Sequence, residues 1–197
     1  MKKKRILAMI LAVASCLSLA VSASAANTVN RKATDFRDYD RTAWYAEAVS
    51  AAVDNGLLYG KSATVIDPNG DMTRAEMAAI INRSFGCYKT TDISQYKDVS
   101  KSKWYYKDVA LAVQMGTYNG RSASAMAPDA PISRQEAMTV VARALELDYD
   151  AYAKTDLSAF SDRSEISNWA LPYVRAMVGA DYIHGRGEVL APLDNIT

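Results

Sequence analysis

Trp44-Tyr45 and Thr73-Arg74-Ala75-Glu76 return along the chain as Trp104-Tyr105 and Ser133-Arg134-Gln135-Glu136. Both pairs share one offset of 60 residues (104 − 44 and 134 − 74). A constant offset across an aromatic and a charged motif means that one supersecondary unit has been copied, and this decides the architecture. Unit one continues through Phe36-Arg37-Asp38, Gly56, Gly60 and Asp67-Pro68. Unit two continues through Tyr96-Lys97-Asp98, Gly116, Gly120 and Ala127-Pro128. A third copy starts at Phe160-Ser161-Asp162 and runs through Trp169, Tyr173-Val174, Gly185 and Ala191-Pro192 to Ile196-Thr197. On this register the arginine of a third Thr-Arg motif falls one residue past Thr197, so the third unit is expected to lack its second helix.

Within unit one, Tyr45, Ala48, Val49, Ala52 and Val53 follow the i, i+3, i+4 spacing of an amphipathic helix. Asn55-Gly56 offers a left-handed stop. Asp181 stands at the corresponding place in unit three. Pro172 there suits a first helical turn, where an amide has no helical partner. Thr73-x-x-Glu76 and Ser133-x-x-Glu136 are capping boxes that open a second helix in units one and two. Met77, Ile80, Ile81 and Phe85, then Met138, Val141 and Leu145, supply its apolar face. No stretch alternates as a strand does. The class is all-α: a pseudo-threefold repeat of helix-loop-helix units around a central helical bundle, the third unit incomplete.

Residues 1–25 read as a secretory signal, with Lys2-Lys3-Lys4-Arg5, an apolar run and Ala23-Ser24-Ala25 before the cut. That run is too short for a membrane span. Val13-Ala14-Ser15-Cys16 is a poor lipoprotein box, because residues 17–21 stay mostly apolar. Of 23 Lys and Arg, 4 leave with the signal, so 19 face 22 Asp and Glu. A net charge of −3 (19 − 22) leaves no basic footprint for nucleic acid. One cysteine, Cys87, and one histidine, His184, remain, which excludes an intrachain disulfide and supplies neither a zinc site nor a Ser-His triad. No cofactor is called for. Asp67-Pro68-Asn69-Gly70-Asp71 misses the calcium-loop template, with Met72 and Ala78 where Gly and Glu are required. Cys87 reads as a small buried hydrophobe and His184 as solvent-facing. Asn82-Arg83-Ser84 and Asn195-Ile196-Thr197 match the glycosylation sequon.

Arg74 and Arg134 carry the sharpest chemistry. A cation in a first helical turn opposes the macrodipole, by up to about 1 kcal/mol. Free amides at a helix start favour anions, and a guanidinium adds a bidentate fork. An acidic ligand at that point would account for both. So would a purely structural cap, or an ion pair with Asp38 or Asp98. Trp44, Trp104 and Trp169 lead apolar helices and fit a core, or else a platform for a sugar ring at a cleft edge. Asp38, Asp98 and Asp162 suit caps or loop acceptors as well as ligand hydroxyls.

Phe-x-Asp, Trp-Tyr-x-x-x-Val, the glycines, the proline and Ile/Met-Thr/Ser-Arg-x-Glu, in that order, resemble the S-layer homology domain over residues 36–197. The resemblance implies three units around a three-helix bundle, with ligand grooves between neighbours. It implies a non-enzymatic, bacterial cell-surface anchor for secondary cell-wall polysaccharide attached to peptidoglycan, often pyruvylated, and a cargo domain beyond residue 197. Repeat one covers 36–86, repeat two 96–147 and repeat three 160–197. Residues 26–35, 87–95 and 148–159 are linkers. The ligand residues so implied are Asp38, Trp44, Gly60 and Arg74, then Asp98, Trp104, Gly120 and Arg134, then Asp162, Trp169 and Gly185. Thr73, Glu76, Ser133 and Glu136 cap helices. Ala170 replaces the tyrosine after Trp169, and Gln135 the usual alanine after Arg134.

Two other readings stand beside this one. A secreted glycosidase would need a carboxylate pair such as Asp38 and Glu76. A structural module would self-associate, or meet another envelope protein, through the face left by the missing helix.

Overall fold

The computed structural model describes residues 31–197; the secretory signal lies outside them. The helices are α1 (Ala46–Asp54), α2 (Arg74–Phe85), α3 (Tyr106–Met115), α4 (Arg134–Ala144) and α5 (Leu171–Gly179). Short 3-10 turns sit at Ala33–Asp35 and Arg163–Glu165. No strand forms among the described residues, and the isolated bridges Thr73–Pro131 and Ser133–Asn195 join units instead.

The outer helices α1, α3 and α5 begin after the tryptophans, at Ala46, Tyr106 and Leu171. Each tryptophan therefore stands in the preceding turn and not on the buried stripe. The next residue turns inward: Tyr105 and Ala170 are fully buried. The core reading of the tryptophans fails for this reason. Trp44 is 91 % exposed, and Trp104 and Trp169 are more than half-exposed. Gly56 and Gly116 close α1 and α3 in the left-handed region, and Asp181 takes the same backbone (φ 68°) after α5. The amides of Leu57, Thr117 and Tyr182 bond back to Ala52, Ala112 and Met177, so all three helix ends are alike.

Packing runs between units. The inner helix α2 lies on α3 of the next unit, α4 lies on α5, and α2 meets α4. One core joins Ala75, Ile81, Val109, Ala112 and Val140. A second joins Met138, Phe160, Val174 and Met177. Ile93 and Leu157, within the two linkers, are buried in these cores and tie the linkers down. Backbone bonds close a triangle at the centre. Met72 N–H donates to Ile196 O (2.8 Å), Ile196 N–H to Ile132 O (3.1 Å), and Ile132 N–H to Met72 O (3.0 Å). This ring is the pseudo-threefold axis, and all three units contribute to it.

Candidate functional site

The capping boxes form as the sequence dictates. Thr73 Oγ1 accepts from the Glu76 amide, and Glu76 Oε2 accepts from the Thr73 amide. Ser133 and Glu136 do the same. The free-amide anion site does not form. The Arg74 and Ala75 amides donate to Ala130 O (3.0 Å) and Pro128 O (2.9 Å) of unit two. Those of Arg134 and Gln135 donate to Asp194 O (2.8 Å) and Pro192 O (2.9 Å) of unit three. Each inner helix is thus capped by the next unit's loop, and no first-turn amide is left for a ligand.

Arg74 is only 5 % exposed. Its Nε donates to Met126 O (3.0 Å), Nη1 to Glu136 Oε1 (3.0 Å) and Nη2 to Asn119 O (3.1 Å). The guanidinium lies 5.2 Å from the Tyr118 ring centroid. Burial draws its pKa down, and Glu136 offsets only part of this. Arg74 therefore acts as a brace between units one and two, with all three of its nitrogens on protein acceptors. Neither Asp38 nor Asp98 is its partner.

Arg134 repeats only the first of these bonds, Nε to Leu190 O (2.9 Å). Its terminal nitrogens make no hydrogen bond among the described residues, and the side chain is half-buried. Burial again lowers its pKa, followed by the nearby charge of Arg186.

The aspartates are loop acceptors. Asp38 takes the Ile66 and Asp67 amides (3.0 and 2.7 Å), Asp98 those of Met126 and Ala127 (2.9 and 2.6 Å), and Asp162 those of Leu190 and Ala191 (2.9 and 2.6 Å). The second residue of each pair has positive φ (60°, 53° and 50°) directly before a proline. That backbone is costly, on the order of 1–3 kcal/mol, and the paired bonds hold it. At Asp38, burial works against ionisation, but the two amides keep its carboxyl below the ordinary value. These carboxylates hold backbone amides, as the loop-acceptor reading expects, and Asp38 and Glu76 both carry structural bonds. Glu76 is held by the Thr73 amide and by Lys61 Nζ (2.7 Å).

The glycines answer to packing as well. A Cβ on Gly60 would stand 2.6 Å from both Phe36 Cε1 and Val65 O. Gly120 meets Tyr96, and Gly185 meets Phe160, in the same way. The motif aromatic of each unit makes a close approach to its glycine.

What the structure adds is a cation after each of these glycines: Lys61, Arg121 and Arg186. All three are exposed. Arg121 forks onto Glu136 through Nε and Nη2 (3.0 Å each), and Arg186 Nη1 meets Asp194 at 3.4 Å. The recurrence Gly60-Lys61, Gly120-Arg121, Gly185-Arg186 was the signal in the sequence that could have found them. A cavity of about 640 Å³ lies beside α1 and α2, bringing Trp44, Trp104, Gly60, Lys61, Glu76 and Arg83 onto one surface. Arg74, Arg134 and the motif aspartates Asp38, Asp98 and Asp162 lie outside that lining. Tyr105, buried beneath Trp104, donates to Asp129 Oδ2 (2.8 Å); burial and that carboxylate push its pKa up to about 12.

Three smaller expectations resolve as follows. Cys87 is half-buried, with Sγ 3.0 Å from Met115 Sδ. His184 faces solvent. Asn82 is buried on Asp108 O (2.8 Å), so that sequon is closed in the folded chain. No described helix is long and apolar enough to cross a membrane.

The family model described as "S-layer homology domain" matches residues 35–78, 95–138 and 159–197. Over 154 residues, 78 % of the chain, the sequence is 32 % identical to the surface-layer 125 kDa protein of Lysinibacillus sphaericus, covering 13 % of that protein. It is 22 % identical over 185 residues to the S-layer protein sap of Bacillus anthracis, which covers 94 % of the chain and 22 % of that protein. It is 26 % identical over 138 residues to the cellulosome-anchoring protein of Acetivibrio thermocellus, 66 % of the chain and 30 % of that protein. The chain thus spans 13 % to 30 % of the length of these relatives.

Proposed function

The chain belongs to the S-layer homology domain family, a cell-surface, wall-associated anchoring module, and from that premise we propose how it grips its polymer. Its units hold an anionic cell-wall polysaccharide in the grooves between neighbours, without catalysing a reaction. One observation carries the reading: each unit sets an exposed cation, Lys61, Arg121 or Arg186, directly after its motif glycine. Arg134, half-buried, adds a second cation near Arg186. Arg186, held only by one 3.4 Å contact to Asp194, offers the guanidinium fork that matches a carboxylate in two parallel bonds, and Lys61 and Arg121, each also paired with a glutamate, add positive charge. The carboxylate of a pyruvate ketal on the polymer is the acidic group we assign to these cations. Trp44 and Trp104 give apolar faces on which sugar rings stack. The braces, Arg74 and the three aspartates, keep the loops that display these groups in place.

The test is cosedimentation of the mature protein with isolated walls. The protein should pellet with native walls and stay soluble with walls whose polymer or ketal-linked acid has been removed. Equal pelleting with native and stripped walls would contradict the reading.

A further inference from the structure

We propose that unit three carries a separate pocket for a phosphate ester of a sugar, formed by Lys154, Arg163 and Arg175 where linker 148–159 crosses α5. A cavity of about 480 Å³ opens there, and these three cations share its lining with Asp156 and Ser158. The repeat supplies an internal control. Lys154 and Arg163 correspond to Thr90 and Val99 of unit two (154 − 90 and 163 − 99, both 64), and Arg175 to Ala110 (175 − 110, 65). Val99 and Ala110 are buried core residues. The same scaffold that closes with small and apolar groups in unit two has therefore been given three positive charges in unit three.

Little inside the protein uses those charges; that of Arg163 acts on Asp156, within the same pocket. The one carboxylate in the pocket, Asp156, accepts from the Ser158 amide and hydroxyl, both at 2.8 Å. Asp92 and Ser94 make the same turn in unit two, so Asp156 is explained by the loop. No ion pair joins any of the three cations to a carboxylate among the described residues. Arg163 Nη1 reaches only Phe160 O, at 3.3 Å. Arg175 Nε is buried and meets no hydrogen-bond partner among the described residues. A buried donor without a partner is costly, and the remainder of the same guanidinium is what a ligand in the pocket can reach.

The charge count selects the ligand class. Three cations and one carboxylate leave a surplus of two positive charges (3 − 1). A phosphate monoester carries roughly −1.5 to −2 at neutral pH, whereas a carboxylate would leave one charge unmatched. The cavity has room for a sugar ring beside the phosphate, and guanidinium forks fit phosphate oxygens.

Calorimetric titration of the full mature chain with glucose 6-phosphate tests this, with glucose, glucuronate and inorganic phosphate as controls. Glucose 6-phosphate should bind, glucose should not, and glucuronate and inorganic phosphate should bind more weakly. Because Lys154 and Arg163 are exposed, Lys154→Ala/Arg163→Ala should keep the wild-type circular dichroism. It should weaken glucose 6-phosphate by about tenfold or more, the loss of two charge-assisted contacts. Arg175→Met should weaken it likewise. Absence of binding would overturn the proposal. So would undiminished binding by the double variant, glucuronate as tight as the phosphate ester, or inorganic phosphate as tight as the ester. None of these readouts depends on wall binding, so failure here leaves the anchoring proposal untouched.

Discussion

Arg74 and Arg134 occupy the same place in consecutive units, and their surroundings give them different work. Both send Nε to the carbonyl before a left-handed residue, Met126 O for one and Leu190 O for the other. Beyond that bond they part. Unit two offers Arg74 the Glu136 carboxylate, Asn119 O and the Tyr118 ring. Unit three has Ile183 in the place of Tyr118, so Arg134 has no ring to lie against there. The Tyr118 ring, Asn119 O and Glu136 together make Arg74 a brace, while Arg134 keeps only the shared bond to Leu190 O among the described residues.

The largest expected effect is from Arg74→Ala. It takes one of two cations from Glu136, which keeps Arg121, leaves Met126 O and Asn119 O without their donor, and empties a buried site; an unsatisfied buried acceptor alone costs about 1–3 kcal/mol. Urea unfolding should show a midpoint well below wild type; an unchanged midpoint would erase the contrast. Arg134→Ala loses one backbone bond from a half-buried side chain, about 1 kcal/mol. Its midpoint should fall far less, while wall binding weakens.

Acid sharpens the same contrast. Burial opposes ionisation of Glu136, but Arg121, the Ser133 amide and Arg74 hold its carboxyl below the ordinary 4.5. A depressed folded value means the contribution is present above pH 4.5 and is lost as pH falls below it toward the folded value. Glu136→Gln should flatten this acid limb in stability measured from pH 7 to pH 3. A limb as steep as wild type would show that the brace is not what titrates. The smallest stability effect is expected at Trp44, which is 91 % exposed: Trp44→Ala should leave the unfolding midpoint close to wild type.

The fold was legible because its signals are local and repeated. Thr73-x-x-Glu76, Ser133-x-x-Glu136 and the stop at Gly56 and Gly116 each specify backbone within a few residues. The role of Arg74 was not legible, since its acceptors Asn119, Met126 and Glu136 belong to the next unit. The first-turn amides are likewise filled from Pro128, Ala130, Pro192 and Asp194. The tryptophans misled for a different reason. Periodicity counts them with the helix, whereas the helix starts two residues later and gives the inward place to Tyr105 and Ala170. Lys61, Arg121 and Arg186 were readable as a recurrence after the glycines, though nothing local marks a cation in a loop as special.

The central claim is that the exposed cations, not the buried brace, meet the wall. Cosedimentation of Lys61→Ala/Arg121→Ala/Arg186→Ala with native walls tests it most directly, with circular dichroism as the check on folding. The account predicts a folded protein that stays largely in the supernatant; a folded triple variant that pellets like wild type would contradict it.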